Sequence, residues 1–375
     1  MQNKDYDWAN KTAEKIYEKM KASAKRSENK IPYLTVNGIF DDCSDNISWW
    51  TNGFYGGQLW QLYNAYGDEL FRNAAENIES KLDKSLMDYM GMDHDSGFKW
   101  LLTSVAAYKL TKNELSKNRA LLAAANLAGR FNLAGKFIRA WNSWGGAQNQ
   151  GWAIIDCMMN LPLLYWAAKE TEDPRFSQIA KAHADTAVKA FVRENGSVNH
   201  IVQFNPDTGE IIGTLAGQGK EVGSSWTRGQ AWAIYGFALS FRHTGDEKYL
   251  DTAKKVASYF ASNISDSGLI PVDFCQDREL DWEDSTAAAI AACGMLEIEA
   301  HVTEQEKSFF HKTAMKLLKA LEEKRSNWDT VADYILENGS AAYHDEKHNF
   351  PIIYGDYFFT EAVFKLCGEE LFMWG

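Results

Sequence analysis

Thr227-Arg-Gly-Gln-Ala-Trp-Ala-Ile-Tyr-Gly-Phe-Ala-Leu-Ser-Phe-Arg-His243 runs straight into Thr244-Gly-Asp-Glu-Lys-Tyr249. The first segment is small or apolar on nearly every side, which places a helix inside a large helical protein. The turn that follows carries a glycine and then an acid, and Asp246 can accept a free backbone N–H of a new helix. Beyond it Tyr249, Ala253, Val256, Ala257 and Phe260 recur at spacings of three and four, the pattern of an amphipathic outer helix. One buried helix, one tight turn and one covering helix form the unit.

The unit recurs along the chain. Tyr66-Gly-Asp-Glu-Leu-Phe71 and Glu172-Asp-Pro-Arg-Phe176 are further turns of the same kind. Six segments read as inner helices: Trp50–Tyr66, Gly97–Leu110, Gly151–Ala168, Thr227–His243, Asp284–His301 and Gly355–Cys367. Six read as outer helices: Trp8–Met20, Glu69–Leu82, Leu115–Phe131, Phe176–Phe191, Tyr249–Phe260 and Glu304–Leu321. Strict alternation of six and six predicts an all-α protein, an (α/α)6 barrel. The units share a pattern and almost no identity. A minor β component is expected in the long connections, with Val198–Phe204 and Glu210–Thr214 forming a hairpin. No linker rich in Pro, Gly or Ser interrupts the chain, so residues 1–375 are expected to form one domain.

Composition excludes several classes. With 39 Lys+Arg against 51 Asp+Glu the net charge is −12, and no basic stripe suits a nucleic acid. The five cysteines, Cys43, Cys157, Cys275, Cys293 and Cys367, are scattered and lack a CxxC pair. Reduced thiols in a cytoplasmic protein are the simplest reading. The longest apolar run, Trp152 to Ala168, is short for a membrane span and contains Asp156, Asn160 and Pro162. The start of the chain lacks the apolar stretch of a signal peptide. No GxSxG elbow, Walker loop, dinucleotide fingerprint or HExxH occurs.

Candidate chemistry gathers where the inner helices begin. Asp156 lies in Trp152-Ala-Ile-Ile-Asp-Cys-Met-Met-Asn-Leu-Pro-Leu-Leu-Tyr-Trp166. A carboxylate there loses hydration and responds by raising its pKa, which suits a general acid; a hydrogen-bonded structural Asp is the plainer alternative. Trp152, Asp156 and Asn160, four apart, are expected to share one helical face. Asp93-His94-Asp95 could be read as metal ligands, but adjacent ligands on one loop are poor geometry and no second His/Cys cluster supports them. Asp95 before Ser96-Gly97 also fits an N-cap. Arg228 reads either as the partner of a buried acid such as Asp156 or Asp284, or as a receptor for a substrate carboxylate. Each of Trp50, Trp141, Trp226 and Trp232 suits a core; together they suggest an aromatic pocket for a sugar.

His94-Asp-Ser-Gly-Phe98, Ile154-Ile-Asp-Cys157 and Ser225-Trp-Thr-Arg-Gly-Gln-Ala-Trp232 resemble the unsaturated glucuronyl hydrolases of glycoside hydrolase family 88. Trp50-Thr-Asn-Gly-Phe54 and Tyr354-Gly-Asp-Tyr357 fit as well, so the resemblance spans nearly the whole chain in order. It implies an (α/α)6 barrel, a bacterial cytoplasmic setting, and neither metal nor other cofactor. It also implies a substrate left by a polysaccharide lyase, an oligosaccharide with a 4,5-unsaturated uronic acid at its non-reducing end. The family is thought to hydrate this vinyl ether, so the usual carboxylate-spacing rule for glycosidases does not predict stereochemistry. By motif, Asp156 corresponds to the general acid and base and Asp95 to the second essential acid. His200 corresponds to a histidine beside the reacting carbons, and Gln218 and Arg228 to polar contacts with the uronate. Trp50, Trp141, Trp226 and Trp232 correspond to aromatic walls, with His94 and Tyr343 as further contacts. Members preferring sulfated substrates carry Ser-x-x-Ser-x-Lys near the last inner helix. Here His344-Asp-Glu-Lys-His-Asn-Phe350 takes its place without those serines, so the resemblance does not extend to a preference for sulfated substrates, and Lys347 and His348 are the candidate substitutes.

The alternatives are an unsaturated rhamnogalacturonyl hydrolase of family 105 on the same barrel, conventional inverting hydrolysis of saturated sugars, and a non-catalytic sugar-binding or protein-interaction scaffold. The pairing of Asp95 with Asp156, and Arg-Gly-Gln-Ala-Trp in the fourth segment, favour the glucuronyl group.

Overall fold

Asp68, Asp173 and Asp246 each accept the backbone N–H two residues on, from Leu70, Arg175 and Lys248. The residue closing the preceding helix is left-handed in each turn: Gly67 at φ 67°, Glu172 at φ 54° and Gly245 at φ 66°. A left-handed stop followed by an Asp start is a compact way to reverse a helix. Used repeatedly, it lays each outer helix back over the inner one.

The computed structural model describes residues 2–143 and 148–375. In chain order it contains α1 (Gln2–Ser27), a hairpin of β1 (Thr35–Val36) and β2 (Ile39–Phe40), α2 (Phe54–Tyr66), α3 (Glu69–Lys81) and the short α4 (Asp83–Leu86). Next come α5 (Ser96–Trp100), a π-helical turn (Leu101–Val105), α6 (Ala106–Thr111), α7 (Glu114–Gly129), a hairpin of β3 (Phe131–Asn132) and β4 (Phe137–Ile138), and β5 (Trp152–Ile154). A 3₁₀ turn (Ile155–Met159) leads to α8 (Leu161–Thr171) and α9 (Pro174–Ala190), then β6 (Ile201–Phe204) and β7 (Ile211–Leu215). Helices α10 (Thr227–Thr244), α11 (Glu247–Ser262), α12 (Ser285–Glu299), α13 (Glu304–Lys324) and α14 (Ile353–Cys367) complete the chain.

The inner ring runs through α2, α5–α6, the 3₁₀ turn with α8, α10, α12 and α14, and closes where α14 packs on α2. Residues Thr227–Ser240 of α10 and Ser285–Ile298 of α12 are buried without interruption. The outer helices α1, α3, α7, α9, α11 and α13 bury one stripe each, as α11 does with Tyr249, Ala253, Val256, Ala257 and Phe260. This is the (α/α)6 barrel that the alternation predicted. The expected hairpin is present as β6 and β7.

The third inner segment differs from expectation. Instead of one helix it is a strand, a 3₁₀ turn and only then a helix, so Trp152, Asp156 and Asn160 do not share a helical face. Two physical reasons are visible. Strand β5 joins β6 in an antiparallel ladder, Trp152 opposite Gln203 and Ile154 opposite Ile201, which commits its backbone to extended pairing. Pro162, lacking an N–H, is tolerated only in the first turn of α8. The second inner helix is also irregular, with its π turn directly beyond α5.

Trp232, expected as a sugar-facing wall, is part of the core. It is fully buried, with ring centroids 5.0 Å from Phe98 and 5.4 Å from Phe358. Trp232→Ala is therefore expected to lower folding stability by about 3–5 kcal/mol, read as a fall in the urea midpoint.

Candidate active site

At the end of the barrel where the inner helices begin, the loops enclose a cavity of about 540 Å³. Trp49, Trp50, Met90, Trp141 and Ile154 supply its apolar wall, and Asp93, His94, Asp95, Asp156, His200 and Gln218 its polar chemistry. Asn46, Ser48 and Asn142 complete the polar lining. Among the described residues the lining holds three carboxylates and no Lys or Arg.

The register of the small sheet assembles the reacting side. Ile155 donates its backbone N–H to His200 O at 3.1 Å, so the residue preceding β6 lies beside the residue following β5. As a result His200 Nε2 stands 3.7 Å from Asp156 Oδ1. The other ring nitrogen settles the tautomer. His200 Nδ1 accepts the Gln218 backbone N–H at 3.0 Å, although it also lies 3.2 Å from Ala216 O. An amide N–H can only donate, so Nδ1 carries the lone pair and Nε2 carries the proton. Burial lowers the His200 pKa to about 3, which keeps the ring neutral. Gly217 makes room for this: at φ 58°, a Cβ here would sit 2.0 Å from His200 Nδ1.

The second acid is held from the opposite side. Asp95 does not cap α5 with its side chain, contrary to its structural reading. Its Oδ1 accepts from Asn160 Nδ2 at 3.1 Å, and Asn160 Oδ1 accepts the Phe98 N–H at 2.8 Å. Gly97 allows this approach, since a Cβ there would meet Asn160 Cα at 2.6 Å. Asp95 Oδ2 lies 3.4 Å from His94 Nε2. Burial lowers the His94 pKa to about 4, and its ring meets Trp141 edge-on at 6.3 Å.

The two acids divide by environment. Burial pushes the Asp156 carboxyl up to about 8, and the charge of Asp95 adds to the rise against the opposing pull of Arg228. Its Oδ1 has no hydrogen-bond partner, and its side chain is 14% exposed. Burial also raises Asp95, to about 6, with Lys99, Asn160 and Arg130 holding it down. Near neutral pH the pair therefore offers one protonated and one ionised carboxyl, an acid beside a fixed charge.

The remaining expected residues are placed as follows. Trp50 lines the cavity, 5.0 Å from the Tyr354 ring, and Trp141 stands across from Trp152 at 6.3 Å. Gln218 lines it too, its Nε2 donating to Ala341 O at 2.7 Å. Of the two readings of Arg228, the structure shows the partner of a buried acid. Arg228 is fully buried, pairs with Asp284 at 2.6 Å, and donates to Ser340 O at 2.7 Å and Ala341 O at 2.5 Å. Its Nη groups hold Asp284 and the 340–341 strap, while its buried Nε has no hydrogen-bond partner. Trp226 lies behind the wall, between His200 (ring centroids 4.3 Å apart) and the Arg228 guanidinium at 4.7 Å. Tyr343 is also behind it, donating its backbone N–H to Gln218 O and packing on Trp282. His348 stacks on Trp282 at 3.8 Å and 3°, while Lys347 is exposed.

Asn142 was missed. Its Nδ2 donates to the carbonyls of Tyr89, Met90 and Met92, which fixes the rim loop. A buried Asn must find partners, but nothing in the sequence says which. Asn160 was noticed for its spacing alone. An amide inside an apolar run was the available sign of a structural hydrogen bond.

A family profile described as Glycosyl Hydrolase Family 88 matches residues 8–358. The unsaturated glucuronyl hydrolase of Bacillus sp. (strain GL1) is 36% identical over 91% of this chain and 92% of that protein. The unsaturated chondroitin disaccharide hydrolase of Streptococcus pneumoniae (strain ATCC BAA-255 / R6) is 32% identical over 88% and 84%. Among solved structures, the unsaturated glucuronyl hydrolase from Bacillus sp. GL1 superposes with a TM-score of 0.87 at 34% identity, covering 96% of both chains. One from Streptococcus agalactiae gives 0.89 at 28% identity, covering 96% and 93%.

Removing the Arg228 guanidinium leaves Asp284 buried and unpaired. Arg228→Met is expected to cost about 3–5 kcal/mol of stability, measured by chemical denaturation. A rise in KM without such a loss would return Arg228 to the ligand contacts.

Proposed function

The chain belongs to glycosyl hydrolase family 88, and from that premise we propose that it removes the 4,5-unsaturated glucuronic acid from the non-reducing end of lyase-generated oligosaccharides, residues 1–375 acting as one catalytic domain. One observation carries the reading: an Asp156 carboxyl lifted to about 8 by burial, with an unpartnered oxygen, opening onto a cavity beside a second acid. That is a proton donor at neutral pH.

The chemistry follows from the geometry. Asp156 gives its proton to C4 of the vinyl ether, and positive charge develops at C5 and the ring oxygen. Water adds at C5 and yields its proton to the Asp156 carboxylate, restoring the acid. The hemiketal opens to a ketone at C5, and the freed C1 hemiacetal releases the remaining sugar. His200 Nε2–H, on the Asp156 side of the cavity, is the donor that steadies the carboxylate between the two proton transfers. Asp95 stays ionised, accepts sugar hydroxyls, and by its charge keeps the proton on Asp156 until C4 takes it. Trp50 and Trp141 offer flat apolar faces to the sugar, and Gln218 and His94 supply neutral polar contacts.

Glycosaminoglycan-type disaccharides are the favoured substrate class. The supporting relatives are named for unsaturated glucuronyl and unsaturated chondroitin disaccharide hydrolysis, and a Streptococcus agalactiae structure at 27% identity is described as complexed with dGlcA-GalNAc6S. No described helix is long and apolar enough to cross a membrane.

Wild type is expected to bleach the ultraviolet absorbance of the conjugated uronate. Asp156→Asn should lose about 10²–10⁴-fold in rate, and near-normal turnover by that variant would overturn the assignment. The pH profile is a second check. Activity requires Asp156 protonated, so it falls as pH rises through about 8. It requires Asp95 ionised, so it falls as pH drops through about 6. A bell between these limits is the expected kcat/KM profile, which reports the groups of the free enzyme.

A further inference from the structure

The carboxylate cluster needs a countercharge, and the chain provides one from behind the wall. Lys99 is fully buried on α5. Its Nζ donates to Ser48 O at 3.1 Å and lies 3.8 Å from Asp93 Oδ1. That same Asp93 oxygen accepts the Asp95 backbone N–H at 2.9 Å. The linkage therefore runs from the ammonium through the Asp93 carboxylate to the peptide that carries Asp95. Among the described residues no other Lys or Arg is ion-paired with a carboxylate of the cavity.

The other charges facing the cluster are already committed. Arg130, at the end of α7, gives its donors to Met92 O, Arg139 O, Ala140 O and Asn142. Arg228, from α10, is paired with Asp284. His94 on the same loop and His200 before β6 are neutral near pH 7. Facing Asp95 from the third inner segment are Asn160, through its amide, and Asp156, through like charge. Isolated buried carboxylates take up protons instead of staying charged. Three of them around one cavity, with neutral histidines, would all tend to do so. A buried ammonium counters that tendency while leaving the cavity wall itself free of cations.

We propose that Lys99 is a positioning residue for the hydration reaction: a countercharge behind the site that anchors Asp93, orients Asp95 through it, and sets the width of the pH window in which the acid pair works. This rests on the reading of Asp156 as proton donor. The electrostatic direction agrees with the placement, since Lys99 is the largest charge holding Asp95 below the value that burial alone would set, and Asp95 in turn raises Asp156.

The consequence is specific. Without the cation Asp95 holds its proton to higher pH, so the acid limb of the profile rises. Near the alkaline limb Asp95 is still ionised and still repels ionisation of Asp156, so that limb stays in place. Lys99→Met should thus narrow the bell from its acid side alone, by about one pH unit, with KM changed less than kcat. A rate loss equal at every pH, with both limbs in place, is the mark of a merely structural lysine and would overturn the proposal. If Lys99→Met does not fold, Asp93→Asn decides. It keeps an acceptor for the Asp95 N–H but leaves the ammonium facing Asp95 alone, so the acid limb should fall; an unmoved or rising limb overturns the proposal. The two readings remain separable. Turnover by Asp156→Asn sinks the proposed function, whereas an inactive Asp156→Asn together with an unmoved Lys99→Met profile sinks only the role of Lys99.

Discussion

Asn160 holds the site together. One face of its amide accepts the Phe98 N–H at the start of the second inner helix, and the other donates to the Asp95 carboxylate. Because Asn160 also closes the 3₁₀ turn that bears Asp156, one side chain fixes the two acids relative to each other. The bridge requires Gly97, the residue over which the two backbones meet. A neutral amide suits this place. It satisfies a buried carboxylate that has to stay ionised, and it adds no charge of its own beside Asp156.

The electrostatics follow from where charge is allowed. The chain carries −12 overall, and the described cavity wall adds three acids to that background. A site for an anionic sugar with such a wall depends on neutral donors and on keeping one acid protonated. Burial does both. It raises Asp156 and neutralises His94 and His200. Cations are used behind the wall, where Lys99, Arg130 and Arg228 organise backbone and acids. Screening by salt is weak at such depth, so this arrangement holds across ordinary ionic strength.

Arg228 shows how a plausible ligand residue becomes an architectural one. Its ion pair with Asp284 ties α10 to the cap of α12, where Asp284 also accepts from Thr286 and Ala287. Its bonds to Ser340 O and Ala341 O hold the strap that Gln218 also grips, Gln218 being held in turn by the Tyr343 N–H. A buried pair of this kind contributes little net stability, yet breaking one half is costly. It commits the polypeptide to one arrangement around the cavity.

The barrel was legible from the chain because its information is local. Turns such as Thr244-Gly-Asp-Glu-Lys-Tyr249 and stripes at spacings of three and four are properties of neighbours in sequence, and tertiary packing only ratified them. The acidity of Asp156 was legible for the same reason, its apolar neighbours being written beside it. What local pattern did not contain was pairing across distance. The register of β5 on β6 turned a predicted helix into a strand and brought His200 to Asp156. Competition among buried partners gave Arg228 to Asp284 and Trp232 to the core, and joined Lys99 to Asp93. Those outcomes depend on which groups meet after the ring closes, because hydrogen bonds and ion pairs are decided by separations of a few ångströms between residues tens or hundreds of positions apart.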